Sequence, residues 1–305
     1  MEPKLDQKTV ALAKGYDAIC SFVNDHLDEK TLDKLAKMGV INIVLRCAGY
    51  NHVDLKKTNE LGIKICRVPA YSPEAVAEHA LALLMTLSRK THKAYNRVRE
   101  NNYSLEGLNG FNIHGKTTGV IGTGAIGKAF CKIMLGIGCR VLAYDILENE
   151  ELKSLGVIYL PLKELFAQSE IISLHCPLTP DTFHLVNHKS LSEMKDEVVI
   201  INTSRGALID TKAVIKALKS RKVGNLGIDV YEQEEDLFFQ NLSEEILLDE
   251  QIARLMTFPN VLITGHQAFL THESLAQIAQ ITLQNLDELA AGRELTNEVK
   301  CKSEA

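Results

Sequence analysis

The chain has 305 residues, of which 46% are hydrophobic and 24% are charged, a composition typical of a folded globular protein long enough for two domains. Its formal net charge is −5 and it has no long basic run, so neither a nucleic-acid surface nor an anionic-membrane surface is expected. The sequence has no apolar run of membrane-spanning length, no signal-like start and no C-x-x-C pair among its seven cysteines, which favours reduced thiols and a cytoplasmic location.

Short apolar segments alternate with segments of helical spacing along the chain. Several of the apolar segments are continuously apolar, which favours parallel strands covered on both faces. The alternation of strand and helix predicts an α/β fold with a doubly wound, Rossmann-type parallel sheet. The predicted strands are Asp17–Val23, Ile41–Arg46, Ile63–Val68, Thr118–Ile121, Arg140–Tyr144, Ile171–His175, Val198–Asn202, Asn225–Asp229 and Val261–Thr264.

Two long helices are predicted to mark the domain boundaries. Ser72 can cap the first helix and Pro73 suits its first turn, and the helical spacing continues to about Arg99. The second helix is predicted at Thr271–Ala291. Residues 72–269 are therefore expected to form a larger domain, and residues 1–71 and 270–305 together a smaller one.

A glycine pattern follows the predicted strand Thr118–Ile121 and opens a helical segment. In this G-x-G-x-x-G spacing, Gly122 permits a tight turn, Gly124 lets the backbone approach a pyrophosphate, and Gly127 lets helix and strand pack closely. Asp145 ends the next strand about twenty residues on, where it would bind ribose hydroxyls and repel a 2′-phosphate. The pattern predicts an NAD site, and the alternative is a glycine-rich turn without a ligand. The expected contacts are Gly122, Gly124, Ala125, Ile126, Gly127 and Asp145.

Three later motifs place an arginine, an acid and a histidine after predicted strands, namely Ile201–Asp210, Gly227–Glu234 and Gly265–Phe269. With these motifs, the chain resembles the D-isomer-specific 2-hydroxyacid dehydrogenases over nearly its whole length. Three further segments are similar to the fermentative D-lactate dehydrogenases of bacteria, and they are Arg46–Asn51, Val68–His79 and His175–Pro180. The resemblance implies a Rossmann-type NAD domain and a smaller flavodoxin-like substrate domain.

The resemblance gives three residues catalytic roles that suit their chemistry. Reduction of a 2-oxo acid builds negative charge on the carbonyl oxygen, and His266 is the expected proton donor. Glu234 would orient that histidine and favour its protonated form. Arg205 would bind the substrate carboxylate and carbonyl through its guanidinium fork. Taken singly, the arginine could be a solvated loop residue and the histidine a satisfied core residue. The acid could be one of four in a solvated acidic run, and the assignment to Glu234 is the least secure because Glu232 lies close by; the run is Glu232, Glu234, Glu235 and Asp236.

Further contacts are expected from the resemblance alone. Those to the substrate are Ala48, Gly49, Tyr71 and Phe269, where the bulk of Phe269 would favour pyruvate over longer acids. The additional contacts to NAD are Cys176, Pro177, Thr182, Thr203, Ser204 and Asp229. Tyr71 and Phe269 could instead pack at a domain junction, and Cys176 is expected to pack rather than to react.

The start of the chain departs from the family pattern. The family's substrate domain normally opens with a strand, a helix and a second strand before the segment that resembles Gly15–Asn24, and this chain starts close to that segment. The predicted strand Asp17–Val23 would then have an unpaired apolar edge. Three possibilities follow: a reduced three-stranded domain, a partner that covers the edge, or a shortened gene product.

NAD-dependent reduction of pyruvate to D-lactate is the leading functional hypothesis, in a homodimer or homotetramer as the resemblance implies. One alternative is a dehydrogenase for another 2-hydroxy acid, such as 2-hydroxyglutarate or a branched acid. The other is an NAD(H)-sensing binding protein on the same fold. His184 and His188 are four residues apart, but no nearby cysteine or acid completes a ligand set, so no metal is expected.

Overall fold

A computed structural model describes residues 4–300 of the chain. Within this part, the chain divides into two compact units. One unit combines residues 4–72 with residues 269–300, and the other is Pro73–Ala268. The assignment of a cofactor domain and a substrate domain to these units stays a prediction at this stage.

The smaller unit contains a three-stranded parallel sheet in the order β1-β2-β3. Its helices are fixed by local signals, since Asp28 accepts a hydrogen bond from Thr31 N and so caps the first helix. Among the described residues, β1 pairs only with β2, which is one of the arrangements expected from the sequence. The elements are a 3-10 helix (Val10–Ala13), β1 (Ala18–Ser21), α1 (Glu29–Lys37), β2 (Asn42–Leu45), α2 (Leu55–Glu60) and β3 (Lys64–Cys66).

The larger unit is built from helices and parallel strands that follow one another in chain order. Its first part comprises α3 (Pro73–Arg89), α4 (Thr91–Arg99), β4 (Thr117–Ile121), α5 (Ala125–Ile137), β5 (Arg140–Tyr144), α6 (Glu150–Ser154), β6 (Ile158–Tyr159) and α7 (Leu162–Gln168). Its second part comprises β7 (Ile171–Leu174), α8 (His188–Glu193), β8 (Val198–Asn202), α9 (Thr211–Lys219), β9 (Val223–Ile228), α10 (Glu250–Met256) and β10 (Val261–Ile263). Two 3-10 helices, Gly206–Leu208 and Glu234–Asp236, follow β8 and β9. The chain then returns to the smaller unit through α11 (His272–Ala290).

The seven strands of the larger unit form one parallel sheet in the order β10-β9-β8-β7-β4-β5-β6. Both of its faces are covered, since Ile200 packs in one apolar cluster while Val199 and Ile201 pack in the other. The predicted doubly wound α/β fold is confirmed by this arrangement. After β4 the chain first builds towards β5 and then returns to place β7 on the other side of β4. Ligands of open α/β sheets bind at such a reversal, beyond the carboxyl ends of the strands.

The structure corrects two expectations from the sequence. The single helix predicted to continue to about Arg99 is wrong, because Lys90 has a φ of +52° and separates α3 from α4. The apolar spacing ends at Leu87, and α4 has no buried residue to hold it in line with α3. The strand β6 was missed because its two residues, Ile158 and Tyr159, are too few to form a pattern.

The cysteines of residues 4–300 are free thiols, and Cys301 lies outside the described residues. The cytoplasmic location expected from the thiols stays a prediction. Among residues 4–300, none of the helices combines the length and the hydropathy that a membrane span requires.

The close packing of α5 on the glycine turn gives a stability prediction. A Cβ at Gly127 would lie 1.9 Å from the carbonyl oxygen of Gly122, whereas a Cβ at Gly136 in the same helix meets no atom within 4 Å. Gly127→Ala should therefore lower the free energy of unfolding by about 1–3 kcal/mol, as overpacking does. Gly136→Ala is the matched control and should leave stability equal or up to about 1 kcal/mol higher. Urea unfolding measures both, and equal stabilities of the two variants would contradict this packing.

Candidate active site

The first part of the site is the glycine turn between β4 and α5, at the reversal of strand order. Gly122 has a φ of +92°, and a Cβ there would lie 2.6 Å from the backbone nitrogen of Cys176, which follows β7. Only glycine fits this close approach of two strand ends. The same turn brings the N-terminus of α5 to the edge of the sheet.

This turn fits a dinucleotide pyrophosphate. A Cβ at Gly124 would meet no atom within 4 Å, so the backbone there faces open space. Gly124 is the N-cap of α5, and it provides no side-chain cap for the first-turn N–H groups of Ala125 and Ile126. The first turn also carries no acidic residue that would repel an anion. Uncapped N–H groups at a helix N-terminus are an anion-binding arrangement.

Asp145 follows β5 and turns its carboxylate towards the glycine turn. Its Oδ2 accepts hydrogen bonds from Thr123 N at 2.5 Å and from Thr123 Oγ1 at 3.1 Å. Tyr159 supports this contact by donating its hydroxyl to Thr123 Oγ1 at 2.9 Å. The sequence reasoning missed Thr123 and Tyr159, and the position of Thr123 inside the glycine motif was the one available signal. The contact of Asp145 with a ribose stays a prediction.

The second part of the site is an acid–histidine pair beyond β9 and β10. The Nδ1 atom of His266 lies 2.8 Å from Oε1 of Glu234, and the two side chains are 21% and 23% exposed. Oε2 of Glu234 accepts a hydrogen bond from Tyr231 N at 2.8 Å, which fixes the carboxylate. Because Nδ1 is engaged with the acid, Nε2 is the ring nitrogen left for proton transfer.

The competing acid Glu232 belongs to a different contact. Its Oε1 lies 2.6 Å from Nε2 of His184, and its Oε2 accepts hydrogen bonds from Thr211 N and Thr211 Oγ1. The structure therefore brings Glu234, and not Glu232, to His266. In residues 4–300, no cluster of three or more His, Cys, Asp or Glu side chains could hold a metal ion.

Asp229 shapes the loop that carries the histidine. Its fully buried carboxylate accepts hydrogen bonds from Thr264 Oγ1, Gln267 N and Ala268 N, at 2.5 to 3.0 Å. Burial opposes ionisation, but these bonds and the contact with His79 outweigh it, so the pKa of the Asp229 carboxyl lies below its usual value.

The main chain of Asp229 also holds the histidine directly. Its carbonyl oxygen accepts a hydrogen bond from His266 N at 2.7 Å, and His266 has a left-handed φ of +54°. Such a backbone is uncommon for a residue other than glycine and persists where its surroundings hold it. Asp229 is therefore a positioning residue for His266, and the contact with nicotinamide expected from the sequence stays a prediction.

The sheet register places Arg205 beyond the same carboxyl ends of the strands. Asn202 pairs with Ile228, and Ile228 pairs with Ile263, so the ends of β8, β9 and β10 form one row. Arg205 and His266 each lie three residues beyond this row. Parallel strands thus deliver the arginine and the acid–histidine pair to one edge of the sheet.

The turn that carries Arg205 is fixed by hydrogen bonds. The Asn202 side chain accepts from Ser204 N at 3.0 Å and donates to Arg205 O at 2.8 Å. The hydroxyl of Ser204 donates to Cys176 O at 2.7 Å, which joins this turn to the end of β7. The guanidinium of Arg205 donates to Ser204 O at 2.7 Å.

The remaining residues expected to contact NAD lie in the loops after β7 and β8. Burial raises the pKa of the Cys176 thiol to about 11, so this thiol stays protonated and packs. Thr182 Oγ1 donates to Pro177 O at 2.7 Å and braces the loop. Thr203 Oγ1 is buried, and among the described residues it has no hydrogen-bond partner.

The expected substrate contacts of the smaller unit form an aromatic cluster of their own. Phe269 packs against Tyr71 at 6.0 Å between ring centroids and against Phe22 at 6.1 Å. The guanidinium of Arg46 lies 4.2 Å above the ring of Phe22. The sequence reasoning missed Phe22, because nothing in its local spacing distinguishes it from a strand residue.

Backbone atoms of the expected carboxylate-binding segment are also held within the smaller unit. Ala48 O accepts a hydrogen bond from Arg67 Nη1 at 2.8 Å, and Gly49 O accepts one from Cys47 Sγ at 3.2 Å. These contacts fix the carbonyl groups of the segment and leave its role towards a substrate as a prediction.

Comparison with known proteins places this geometry in a family. Residues 81–268 match the family model described as D-isomer specific 2-hydroxyacid dehydrogenase, NAD binding domain. The chain is 54% identical over 295 residues to D-lactate dehydrogenase of Escherichia coli K12, covering 97% of this chain and 90% of that protein. It is 55% identical over 293 residues to a 2-hydroxyacid dehydrogenase homolog of Haemophilus influenzae, covering 96% and 88% of the two chains.

Solved structures show the same likeness. The apo structure of D-lactate dehydrogenase from Escherichia coli has a TM-score of 0.90 and 51% identity, covering 98% of this chain and 90% of that one. The crystal structure of D-lactate dehydrogenase from Aquifex aeolicus, complexed with NAD and lactic acid, has a TM-score of 0.84 and 37% identity, covering 95% and 86%.

The buried carboxylate of Asp229 gives a prediction with a pH dependence. In Asp229→Asn, one donor would face an amide N–H₂ group, so the free energy of unfolding at neutral pH should fall by about 1–3 kcal/mol. Because the pKa of this carboxyl lies below 3.8 in the folded protein, its stabilisation is present above that pH and is lost as the pH falls through the lower folded value. The deficit of the variant relative to the parent should therefore shrink in acid.

Asp196→Asn is the control, since Asp196 has a side chain that is 87% exposed and its substitution should change stability by no more than about 0.5 kcal/mol. Urea unfolding at neutral and acidic pH measures both variants. A deficit of Asp229→Asn that is the same at both pH values would contradict the role given to the charged carboxylate.

Proposed function

The chain belongs to the D-isomer-specific 2-hydroxyacid dehydrogenase family and is an NAD-dependent oxidoreductase, and we propose that it reduces pyruvate with NADH to D-lactate. The observation that carries the proposal is the pair of Glu234 and His266 at 2.8 Å. The pair follows strands of the unit that also carries the glycine turn proposed to bind NAD. The names of the similar proteins support lactate as the 2-hydroxy acid.

His266 donates the proton in the proposed reaction. Its Nδ1–H is directed at Glu234, so in the protonated ring Nε2–H remains for the carbonyl oxygen of the substrate. The negative charge of Glu234 favours the imidazolium form and holds the ring plane. As the carbonyl becomes an alkoxide, Nε2 gives up its proton, and the reverse transfer operates during oxidation.

Arg205 binds the substrate in the same proposal. Its guanidinium presents paired donors that match a carboxylate, and a further donor polarises the carbonyl. In this structure, one of its nitrogens donates to Ser204 O, a neutral backbone acceptor. Exchange of that acceptor for a substrate carboxylate strengthens the hydrogen bond, because charge-assisted bonds are stronger.

NAD fits the residues of the glycine turn and supplies the hydride when it is bound. The N–H groups at the start of α5 would hold the pyrophosphate, and the open space at Gly124 would let it approach the backbone. Asp145 would bind the adenosine ribose, and it is followed by the uncharged Ile146 and Leu147 rather than by a cation that would accept a 2′-phosphate. The remaining proposed NAD contacts are Gly122, Ala125, Ile126, Gly127, Cys176, Pro177, Thr182, Thr203, Ser204 and Asp229.

The smaller unit contributes the proposed selectivity for a small side chain. Ala48 and Gly49 offer backbone contacts to the substrate carboxylate, while Tyr71 and Phe269 contact its methyl group. The packing of Phe269 between Tyr71 and Phe22 supports a fixed, bulky wall. A longer acid would have to displace this ring, so pyruvate is favoured.

A panel of 2-oxo acids tests the proposed function. NADH oxidation is followed optically with pyruvate, 2-oxobutyrate, 4-methyl-2-oxopentanoate and 2-oxoglutarate. The proposal expects the highest kcat/KM with pyruvate. Equal or better turnover of 2-oxoglutarate would contradict the lactate assignment. Binding of NADH without turnover of any 2-oxo acid would instead support the NAD(H)-sensing alternative.

The guanidinium fork of Arg205 gives a direct mutational prediction. Arg205→Lys keeps the charge but loses the fork, so kcat/KM for pyruvate should fall on the order of 10²-fold or more. Arg140→Lys is the matched control, because Arg140 is exposed and bonds Gln168 on the surface. Steady-state kinetics measure kcat/KM for pyruvate in both variants. A kcat/KM of Arg205→Lys close to that of the parent would contradict the proposed role of this arginine in substrate binding.

We also propose that two or four copies of the chain associate through the larger unit. Exposed apolar side chains cluster on α4 and the loop after it, at Tyr95, Val98, Tyr103 and Leu105, with exposed fractions of 50% to 83%. Apolar side chains grouped in this way favour an interface. Light scattering should give a mass of two or four times 33.8 kDa, and a mass of 33.8 kDa would contradict the association.

A further inference from the structure

Phe239 contacts the histidine of the acid–base pair. The ring centroids of Phe239 and His266 are 5.6 Å apart, with an angle of 38° between the ring planes. The sequence motifs had not singled out Phe239, which lies five residues after Glu234. The imidazole therefore has the carboxylate at Nδ1 and an aromatic ring packed against it.

The 3-10 turn after β9 carries Glu234, and Phe239 follows shortly after it. The 3-10 helix Glu234–Asp236 follows β9, and its first carbonyl, Glu234 O, accepts hydrogen bonds from Leu237 N at 3.0 Å and Phe238 N at 2.9 Å. Leu237 and Phe238 then pack against the apolar cluster of the larger unit. These anchors leave Phe239 on the outer side of the turn, where it is 40% exposed.

The backbone at this contact is held in an unfavourable conformation. Phe239 has a φ of +63° and His266 a φ of +54°, and a bulky side chain rarely adopts the left-handed region. Such residues cluster at functional sites, where the surroundings maintain the strain. Core burial does not account for an aromatic residue at position 239, since the side chain is 40% exposed. The contact of its ring with His266 gives a reason for an aromatic residue at this position.

We propose that Phe239 is a positioning residue of the acid–base site, whose ring holds the imidazole of His266 against Glu234 and stabilises its protonated form. This inference rests on the function proposed for His266. An aromatic face attracts a cation placed against it. The ring also excludes water from the pair, and this strengthens the attraction between imidazolium and carboxylate.

The charged groups near His266 include two carboxylates, which favour the protonated imidazole. Glu234 lies at Nδ1 of His266, and Asp229, which directly follows β9, accepts a hydrogen bond from His266 N through its main-chain oxygen and lies 3.4 Å from His79 on α3. Arg205 follows the neighbouring strand β8 and is the cation among these groups. Removal of the ring would let more water reach His266, but this side chain is already 21% exposed. Without the phenyl ring, the imidazolium of His266 would lose the aromatic contact and part of its attraction to Glu234. We expect these losses to outweigh the gain in solvation, so the imidazole should lose its proton at a lower pH than in the parent.

Kinetics across the neutral and alkaline pH range test the inference. In Phe239→Ala, kcat for pyruvate reduction should fall roughly 3- to 10-fold, and the alkaline decline of kcat/KM should move to lower pH by roughly half a unit. KM for pyruvate and the NADH affinity, measured by fluorescence, should change less than about twofold. Phe239→Tyr should restore the parent profile because it restores the aromatic face, whereas Phe239→Leu should behave as the alanine variant does.

Ile246→Ala is the matched control in the same segment, since Ile246 is 85% exposed, and it should leave kcat and the pH profile unchanged. A merely structural role of Phe239 would lower stability or kcat without moving the alkaline decline. If Phe239→Ala does not fold, Phe239→Leu and Phe239→Tyr still separate the two interpretations. A parent-like pH profile in Phe239→Leu would overturn the inference.

A second measurement keeps this inference separate from the proposed function. The imidazole signals of His266 are assigned by NMR through their absence in His266→Gln, and their titration is followed without substrate. A shift of this titration to lower pH in Phe239→Ala supports the role of the ring even if no 2-oxo acid is turned over. An active parent with an inactive His266→Gln, together with an unmoved titration in Phe239→Ala, would overturn the inference and leave the proposed function standing.

Discussion

The buried carboxylate of Asp229 is the constraint on which the acid–base site depends. A charge without exposure to water must be fully satisfied by hydrogen bonds, or its burial would cost several kcal/mol. The donors that satisfy Asp229 come mainly from the loop after β10, at Thr264, Gln267 and Ala268. The loop is thereby joined to the end of β9, and His266 is carried in a left-handed conformation that the loop alone would not favour.

The parallel sheet brings the acid–histidine pair to the same strand ends as the glycine turn and Arg205. Because both of its faces are covered by apolar clusters, the strand ends are held in a fixed register. The reversal beside β4 supplies the cofactor turn, and β8, β9 and β10 supply the arginine and the acid–histidine pair. The groups proposed to take part in hydride transfer to a 2-oxo acid thus follow several neighbouring strands of one parallel sheet.

Much of this arrangement could be predicted from the sequence. The strands β5 and β8 have the predicted bounds, since continuous apolar runs mark buried parallel strands. The break at Lys90 and the strand β6 were missed, because one residue or two carry no periodic signal. The choice between Glu232 and Glu234 came from family resemblance, since local spacing does not distinguish two acids that are two residues apart.

The contacts that escaped prediction share a physical cause. The contacts of Phe22 with Phe269 and of Phe239 with His266 join residues far apart in sequence or separated by a loop. Local composition reports which residues are apolar, but the ring against which each one packs is decided by tertiary folding. Such positions are therefore visible only in three dimensions.

The two enantiomers of lactate give the sharpest test of the proposed D-lactate dehydrogenase activity. With NAD⁺ and excess enzyme, reduction of the cofactor is followed optically with D-lactate and with L-lactate as separate substrates. We expect NADH formation with D-lactate, and a rate with L-lactate indistinguishable from that without substrate. NADH formation with L-lactate, or with neither isomer while pyruvate is also left unreduced, would contradict the proposed activity.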